Sequence, residues 1–580
     1  MLMTKKLLTG NEAVARGFWQ AGGRVVSAYP GTPSTEITEN AARYPELYAE
    51  WAPNEKVALE TALGAAIGGA RALAAMKHVG LNVAADPLFT AAYTGINAGL
   101  VIISADDPGM HSSQNEQDNR HYARAAKLPC LEPSDSAEAL AFTELALELS
   151  ERFDTPVLLR LTTRVAHGQS LVELDERAEV KLKPYIKDVQ KYVMTPAGAR
   201  VRHVLLEKRL KDLAAYAEQT EVNRAELRDK ALGVVCSGAA YQYVREAFLQ
   251  ASVFKLGLVY PLPEQCLRDF AAAVDALYVV EELDPFVEYQ LKSWGIACCG
   301  KELFSPLGEI FPPQIKAALG GITAEAPEET PSLPPRPPVL CAGCPHRASF
   351  LAIKKLKAPV MGDIGCYTLA SGSPLSAIDT TVCMGASITM AHGLSKAQGN
   401  TVVKPVAVLG ESTFIHSGIT GLINAVYNQA NITVVILDNS TTAMTGHQHN
   451  PTSGFNAQAL PAPALDLTAL CAACGVGYVR KVNPFDQKAL VAALKGAQEL
   501  EGPAVVICEY PCILLPQAER GQPLTVDSEA CVGCKVCLSI GCPALSMHKD
   551  KADIDVGQCT GCALCAGLCA KKAISGGDNI

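Results

Sequence analysis

Short apolar runs alternate with helix-period stretches along most of this 580-residue chain. Over residues 1–190 short apolar runs alternate with helix-like stretches through GGRVVSAYPGTPS, VALETALGAAIGGARALAAM, AGLVIISADDPG and TPVLLRLTT. That rhythm predicts a parallel α/β sheet. A charged, helix-prone connector follows at 191–230 (RHVLLEKRLKDLAAYAEQTEVNRAELRDKA), and a smaller α/β unit at 231–322 carries the strands LGVVCSG and ALYVVEEL. Six prolines within 327–338 mark an extended linker at 323–338, since proline-rich segments are stiff and cannot join a packed core. A second large α/β segment is expected at 339–515 and a cysteine-rich tail at 516–580. No short-period repeat of the solenoid kind is present.

Bulk properties narrow the picture without deciding it. The length exceeds one core and suggests about four domains. With 49% hydrophobic and 19% charged residues the composition is globular, and a net charge of −9 gives no reason to expect nucleic acid or an anionic membrane as partner. The start MLMTKKLLTGNEAVARG lacks a secretory apolar core, and no apolar stretch approaches the ~20 residues that span a bilayer, so a cytoplasmic location is expected. There, the 21 cysteines should be thiols or metal ligands rather than disulfides.

The tail holds Cys531-x2-Cys534-x2-Cys537-x4-Cys542-Pro543 and then Cys559-x2-Cys562-x2-Cys565-x3-Cys569. Bacterial ferredoxins use this spacing for two [4Fe-4S] clusters, the fourth cysteine of each run ligating the other cluster. One cluster would then take Cys531, Cys534, Cys537 and Cys569, and the other Cys559, Cys562, Cys565 and Cys542. Zinc and disulfides are the competing readings, but zinc sites show two CxxC pairs with a longer spacer, not triplets closed by Cys-Pro. Two departures from the pattern are the four residues before Cys542 and Ala570 where a second proline is expected. Such a tail moves electrons singly, favours a reducing or anaerobic setting, and implies that the rest of the chain releases or consumes electrons.

In the second large segment the apolar strand PVAVLG ends at Gly410 and Glu411, a helix-like stretch follows, and the strand ITVVILDN ends at Asn439, 28 positions after Glu411. This βαβ unit puts polar oxygens at the carboxyl ends of two strands, the edge where such sheets bind ligands. Glu411, Asn439 and the carbonyl of Thr441 offer the hard oxygens that magnesium requires. An acid and a turn asparagine at strand ends, with no metal, is the plainer alternative.

Here the chain resembles thiamine-diphosphate enzymes, whose signature is G-D-x followed nearly thirty residues later by Asn, with Glu411 standing where Asp is usual. Gly410, Ser412, Asn439 and Thr441 are the cofactor-binding positions that the resemblance implies. Residues 55–66, EKVALETALGAA, match the family context E-x-x-A-x-x-x-A-x-G-x-A. The resemblance makes Glu55 the carboxylate that assists loss of the cofactor's C2 proton; Glu60 competes, and a solvated helix face is the alternative for either. Tyr29-Pro-Gly-Thr32-Pro-Ser34 resembles the loop that reaches the substrate carbonyl in 2-oxoacid oxidoreductases, with Thr32 as the contact. His416, five residues past Glu411, is divided between substrate or proton transfer and helix-start packing.

Cys341-x2-Cys344-Pro-His346, Cys366 in GDIGCYT and Cys512 in CEYPC resemble cysteine contexts of 2-oxoacid:ferredoxin oxidoreductases that hold a further [4Fe-4S] cluster nearest the thiamine. Spacing alone does not pair Cys366 with Cys512, and buried cysteines or a zinc-like CxxC remain alternatives. Cys471 and Cys474, in the helix-like LTALCAACG, read as core.

The whole arrangement resembles the α subunits of indolepyruvate:ferredoxin oxidoreductases: a pyrimidine-type thiamine domain, a transketolase-C-like domain, a pyrophosphate-type thiamine domain and a two-cluster ferredoxin-like domain. The strings MKHVGLNVAADP, SADDPGMHSSQNEQDNR, RPPVLCAGCPHRASF, HSGITGLINAVYN and TTAMTGHQ carry it along nearly the whole chain. The resemblance implies oxidative decarboxylation of an arylpyruvate with coenzyme A, giving arylacetyl-CoA and carbon dioxide and reducing ferredoxin. It also implies thiamine diphosphate with Mg2+, a smaller β subunit carrying the gamma-type domain that is absent here, and an (αβ)2 heterotetramer. Three alternatives stay open: another 2-oxoacid, a non-oxidative decarboxylase, and an electron-transfer subunit whose thiamine folds are inert.

Overall fold

The computed structural model describes residues 4–320, 334 and 336–576. Most of the linker expected at 323–338 therefore lies outside the described residues. The chain divides into two compact units, residues 1–333 and 334–580.

The first unit is organised on a seven-stranded sheet. Its order runs from Leu258–Tyr260 through Cys130–Leu131, Val157–Thr162, Leu100–Asp106, Ala72–Lys77 and Val25–Ala28 to Tyr48–Trp51. Leu258–Tyr260 pairs antiparallel with Cys130–Leu131, and the remaining pairs are parallel. The strands are apolar without alternation because both faces are covered. Ala72, Ala74, Met76, Leu100 and Ile102 enter one core, while Leu73, Ala75, Val101, Ile103 and Ala105 enter the core on the other face. The helix Glu55–Ile67 starts where the Asn54 side chain accepts from the Val57 N–H at 2.9 Å, a cap that satisfies one of the orphan donors of the first turn. Ala58, Ala62 and Ala66 are buried on it, and such small side chains let it lie close to the sheet.

A second sheet, in the order Leu277–Val280, Asp229–Ser237, Ala251–Leu256 and Arg224–Glu226, forms the smaller α/β unit. Its boundaries differ from those expected. Arg224–Glu226, from the connector, joins this sheet, whereas Leu258–Tyr260, from within it, crosses to the edge of the seven-stranded sheet. Three-residue strands carry too little periodicity to reveal which sheet they enter. The connector's helix spans Pro196–Ala217, with Thr195 capping and Pro196 in the first turn. Buried charges fasten the two sheets. Arg120 donates to Asp118, to Glu281 (2.7 Å) and to the carbonyls of Glu282 and Asp284, and Arg160 donates to Asp106 and Glu132, both at 2.6 Å.

The second unit carries a five-stranded parallel sheet in the order Val360–Met361, Val406–Gly410, Thr433–Asp438, Ala504–Glu509 and Val479–Val482. Alternate residues again face opposite cores: Val406, Val408, Val435 and Leu437 on one side, Ala407, Leu409, Val434 and Ile436 on the other. Cys471 is fully buried in the second of these cores and Cys474 packs beside it. The cysteine-rich tail folds as two short antiparallel pairs, Thr525–Val526 with Ile574–Ser575 and Leu545–His548 with Lys551–Ile554. A 3-10 turn, Val536–Ile540, and a short helix, Leu564–Leu568, sit at equivalent places in its two cysteine runs. Among the described residues no helix is long and apolar enough to cross a membrane.

Candidate functional site

Parallel register brings Glu411 and Asn439 together. Gly410 pairs with Leu437 across the two strands, so the residues just beyond both strand ends fall side by side. Glu411 is buried, and its Oε1 accepts from Asn450 Nδ2 at 3.1 Å. With the Asn439 amide oxygen turned inward, that oxygen lies 3.2 Å from Glu411 Oε1 and 2.7 Å from the Thr441 carbonyl oxygen. Three buried acceptors then face one another. Rotating the amide would convert both approaches into hydrogen bonds; a hard cation would satisfy all three oxygens as they stand. Burial, reinforced by the neighbouring Asp438 carboxylate, pushes the Glu411 carboxyl well above its ordinary range. A divalent cation removes that penalty by stabilising the ionised form. The donor set therefore fits a hard divalent cation such as Mg2+, with Glu411 as the carboxylate that would hold it.

The surroundings of this trio are tightly built. A Cβ on Gly410 would stand 3.0 Å from the Tyr367 ring, so glycine is needed for the close approach. Tyr367 Oη donates to Thr413 Oγ1 at 3.2 Å, and Thr442 Oγ1 donates to Ser412 Oγ at 3.1 Å. His416 lies in a π-helical turn, Phe414–Gly418, buried and with Nδ1 2.9 Å from Ser417 Oγ. Such turns interrupt the regular ladder and recur at functional sites. Three further buried residues have no motif of their own. Asp363 accepts from the N–H groups of Ile364, Gly385 and Ser387, His346 lies 3.5 Å from Asn439 Nδ2, and Asn450 reaches Glu411. Asp363 and His346 stand inside GDIGCYT and CAGCPH, strings singled out for their cysteines; Asn450 gives no sequence signal. Burial pushes His346 down to about 4, so it is a neutral ring at physiological pH.

Cys341, Cys344, Cys366 and Cys512 come together near this trio. Burial raises the Cys366 thiol to about 11, helped by the charges of Cys512, Cys341 and Glu411, and Cys344 to about 12, helped by Cys341 and Cys366. The Cys512 N–H donates to the Asn439 carbonyl at 2.9 Å, so Cys512 and Asn439 share a backbone contact. In the tail, Cys531, Cys534, Cys537 and Cys569 line one pocket, and Cys542, Cys559, Cys562 and Cys565 line another. Backbone N–H groups point at the sulfurs: Ala552 to Cys531, Leu524 to Cys559 and Ala573 to Cys569, at 3.3–3.4 Å. Such bonds stabilise thiolate ligands.

One local conformation recurs in three of these loops. Each reads C-x-G-C, and Gly343, Gly533 and Gly561 have φ of +71°, +68° and +73°. A Cβ would fall 2.1 Å from Thr560 Oγ1, 2.3 Å from the Asp550 carbonyl oxygen and 2.4 Å from the Gly521 carbonyl carbon respectively. Glycine is required at each on both counts. Cys471 and Cys474 instead flank the turns of an ordinary helix, Leu467–Ala473.

In the first unit, Glu55 is the first residue of its helix and is buried, whereas Glu60 is exposed and paired with Lys56. Gly80, in the string MKHVGLN, leaves room for the Glu55 carboxylate, since a Cβ there would come 2.6 Å from Oε1. Thr32 follows the strand Val25–Ala28 at the carboxyl edge of the same sheet, and its carbonyl accepts from Ser112 Oγ at 3.2 Å. Lys77 ends the adjacent strand; its Nζ donates to the Ser112 carbonyl at 3.1 Å, and the charges of Asp107 and Glu55 act on it.

Residues 16–230 match the family described as pyruvate flavodoxin/ferredoxin oxidoreductase, thiamine diP-binding, and residues 363–508 match the thiamine pyrophosphate enzyme C-terminal TPP-binding domain. Over 613 residues the chain is 42% identical to the indolepyruvate oxidoreductase subunit IorA of Archaeoglobus fulgidus, covering 98% of this chain and 97% of that protein. The IorA subunit of Methanothermobacter thermautotrophicus is also 42% identical, with 98% and 97% covered. That of Thermococcus kodakarensis is 39% identical, with 97% and 96% covered.

Proposed function

The chain belongs to the indolepyruvate oxidoreductase subunit IorA family of thiamine-diphosphate-dependent 2-oxoacid:ferredoxin oxidoreductases, and we propose that its own reaction is the oxidative decarboxylation of an arylpyruvate such as indole-3-pyruvate. Coenzyme A takes the acyl group as arylacetyl-CoA, carbon dioxide leaves, and two electrons pass singly to ferredoxin. Thiamine diphosphate supplies the electron sink for the bond broken at the carboxylate. [4Fe-4S] clusters supply one-electron carriers.

The chain's residues have distinct tasks in this reading. Glu411, Asn439 and the Thr441 carbonyl would hold the Mg2+ that accompanies the cofactor, beside Gly410 and Ser412. Glu55 holds a proton at the aminopyrimidine ring. Thr32 and His416 contact substrate. Cys341, Cys344, Cys366 and Cys512 hold the inner cluster; the two tail sets hold the other clusters in a ferredoxin-like domain, and the unit at 231–322 is the transketolase-C-like domain. The observation that carries the reading is the convergence of the Glu411 carboxylate, the Asn439 amide and the Thr441 carbonyl, with the Cys512 N–H bonded to the Asn439 carbonyl beside them. A cytoplasmic, anaerobic (αβ)2 assembly with a smaller β subunit completes it.

A substrate panel tests this. With the β subunit, ferredoxin and coenzyme A, indole-3-pyruvate and phenylpyruvate should give the highest kcat/KM, and the chain without its partner should turn over little. Preference for pyruvate or 2-oxoglutarate would overturn the arylpyruvate assignment, and full CoA-dependent activity of the chain alone would overturn the partner.

A further inference from the structure

Arg347 is buried at 3% exposure, and among the described residues it forms no ion pair with a carboxylate, cysteines being the charges that act on it. A guanidinium in that state is costly unless some other negative charge compensates it. Its hydrogen bonds all go to backbone carbonyls. Nε donates to Cys341 at 2.9 Å, Nη2 to Leu340, and Nη1 to Ile540 and Gly541 at 2.7 and 2.5 Å. The fork thus clasps the inner cysteine loop with one edge and the residues just before Cys542 with the other. The ionisable groups whose charge would act on it are cysteines of two different sets: Cys542 and Cys562 from the tail, Cys344 and Cys341 from the inner one.

The contact continues beyond the arginine. Ala342 and Gly343, inside the inner C-x-G-C loop, line the pocket of Cys542, Cys559, Cys562 and Cys565. Gly343 leaves no room for a Cβ against Thr560, inside the tail's C-x-G-C loop. The Ile540–Gly541 stretch coincides with the unusual Cys537-x4-Cys542 spacing. Gly541 has φ of +64°, and a Cβ on it would meet Pro374 at 2.9 Å and Arg347 Nη1 at 3.2 Å. The other run reaches its last cysteine in three residues through the helix Leu564–Leu568 and offers no such pair of carbonyls.

We propose that Arg347 is a positioning residue that bolts the inner cysteine loop to the tail set Cys542/Cys559/Cys562/Cys565, with the extra residue before Cys542 providing its seat, and that its charge favours the reduced state of the clusters it faces. This rests on the reading of both cysteine sets as [4Fe-4S] ligands. Anionic clusters are also what compensates the buried guanidinium. Cluster potential depends on net charge and nearby fields, so removing the cation should make the adjoining clusters harder to reduce. An electron leaving the inner cluster, which is thereby oxidised, reduces the tail cluster; the balance between the two depends on the charge placed between them.

The test uses the whole complex with the β subunit, as wild type, Arg347→Gln and Arg347→Lys, with iron analysis followed by potentiometric titration and low-temperature EPR. Wild type should carry about twelve iron atoms per chain, three clusters of four. About eight would remove the inner set from the cysteine reading, and none would overturn that reading altogether, in either case independently of Arg347. Arg347→Gln should keep its iron yet shift the reduction equilibrium of at least one adjoining cluster by about tenfold toward the oxidised form, 59 mV for one electron. Arg347→Lys, which keeps the charge but not the fork, should titrate near wild type while the magnetic coupling between inner and tail clusters weakens. Full iron with unchanged potentials in Arg347→Gln and unchanged coupling in Arg347→Lys would overturn the proposal. Should Arg347→Gln fail to assemble, the coupling in Arg347→Lys decides alone.

Discussion

Glu55→Gln retains thiamine diphosphate and magnesium, loses exchange of the cofactor's C2 proton, and drops turnover roughly a hundred- to ten-thousandfold, the range for a positioned acid–base group. The substitution keeps shape and removes the acid. Glu55 is set at the helix start by the Asn54 cap, and Gly80 clears the space its carboxylate fills. Glutamine occupies the same space and leaves the cap untouched, so folding and cofactor affinity should survive. Glu60→Gln serves as the control, since Glu60 is exposed and paired with Lys56. Exchange assayed by NMR on the bound cofactor separates the roles. Wild-type exchange in Glu55→Gln would remove Glu55 from the chemistry.

Asn439→Ala should weaken magnesium-dependent cofactor binding by at least about a hundredfold, more than the roughly 10–100-fold that residues orienting a ligand contribute. It deletes one of three converging oxygens and leaves Glu411 and the Thr441 carbonyl facing each other across the gap. Asn450→Ala, which removes only a hydrogen bond to Glu411, should cost less. Calorimetric titration of thiamine diphosphate at varied Mg2+ distinguishes the two. An affinity of Asn439→Ala equal to wild type would show that the three oxygens are satisfied by a rotated amide and not by a metal.

The strands were legible because both faces of each large sheet are covered, which turns Leu100–Asp106 and Val406–Gly410 into unbroken apolar runs. The Glu411–Asn439 pairing was legible for a related reason: in a parallel unit, residues after consecutive strand ends become neighbours whatever the length of the crossover. What escaped depends on tertiary contact: Asn450 reaches Glu411 across a loop that has no periodic pattern. Cys366 is grouped with Cys512 only through the family resemblance, since spacing carries no sign that the two strand ends share one edge of the sheet. Leu258–Tyr260 is too short to declare which sheet it joins. Arg347 stands in plain view within CAGCPHR, but its lack of an acidic partner is a property of the folded interior. The glycines of the three C-x-G-C loops carried a signal in the sequence itself, since each sits where φ is positive; a shared glycine is stronger evidence of a common loop than cysteine spacing alone.

The most direct test of the central claim is an anaerobic absorption measurement on the complex of this chain with its β subunit, without ferredoxin. Adding an arylpyruvate together with coenzyme A should bleach the iron–sulfur absorption within one turnover, with carbon dioxide and arylacetyl-CoA appearing in equal amounts. Consumption of the acid with release of carbon dioxide and aldehyde, and no bleaching, would contradict it.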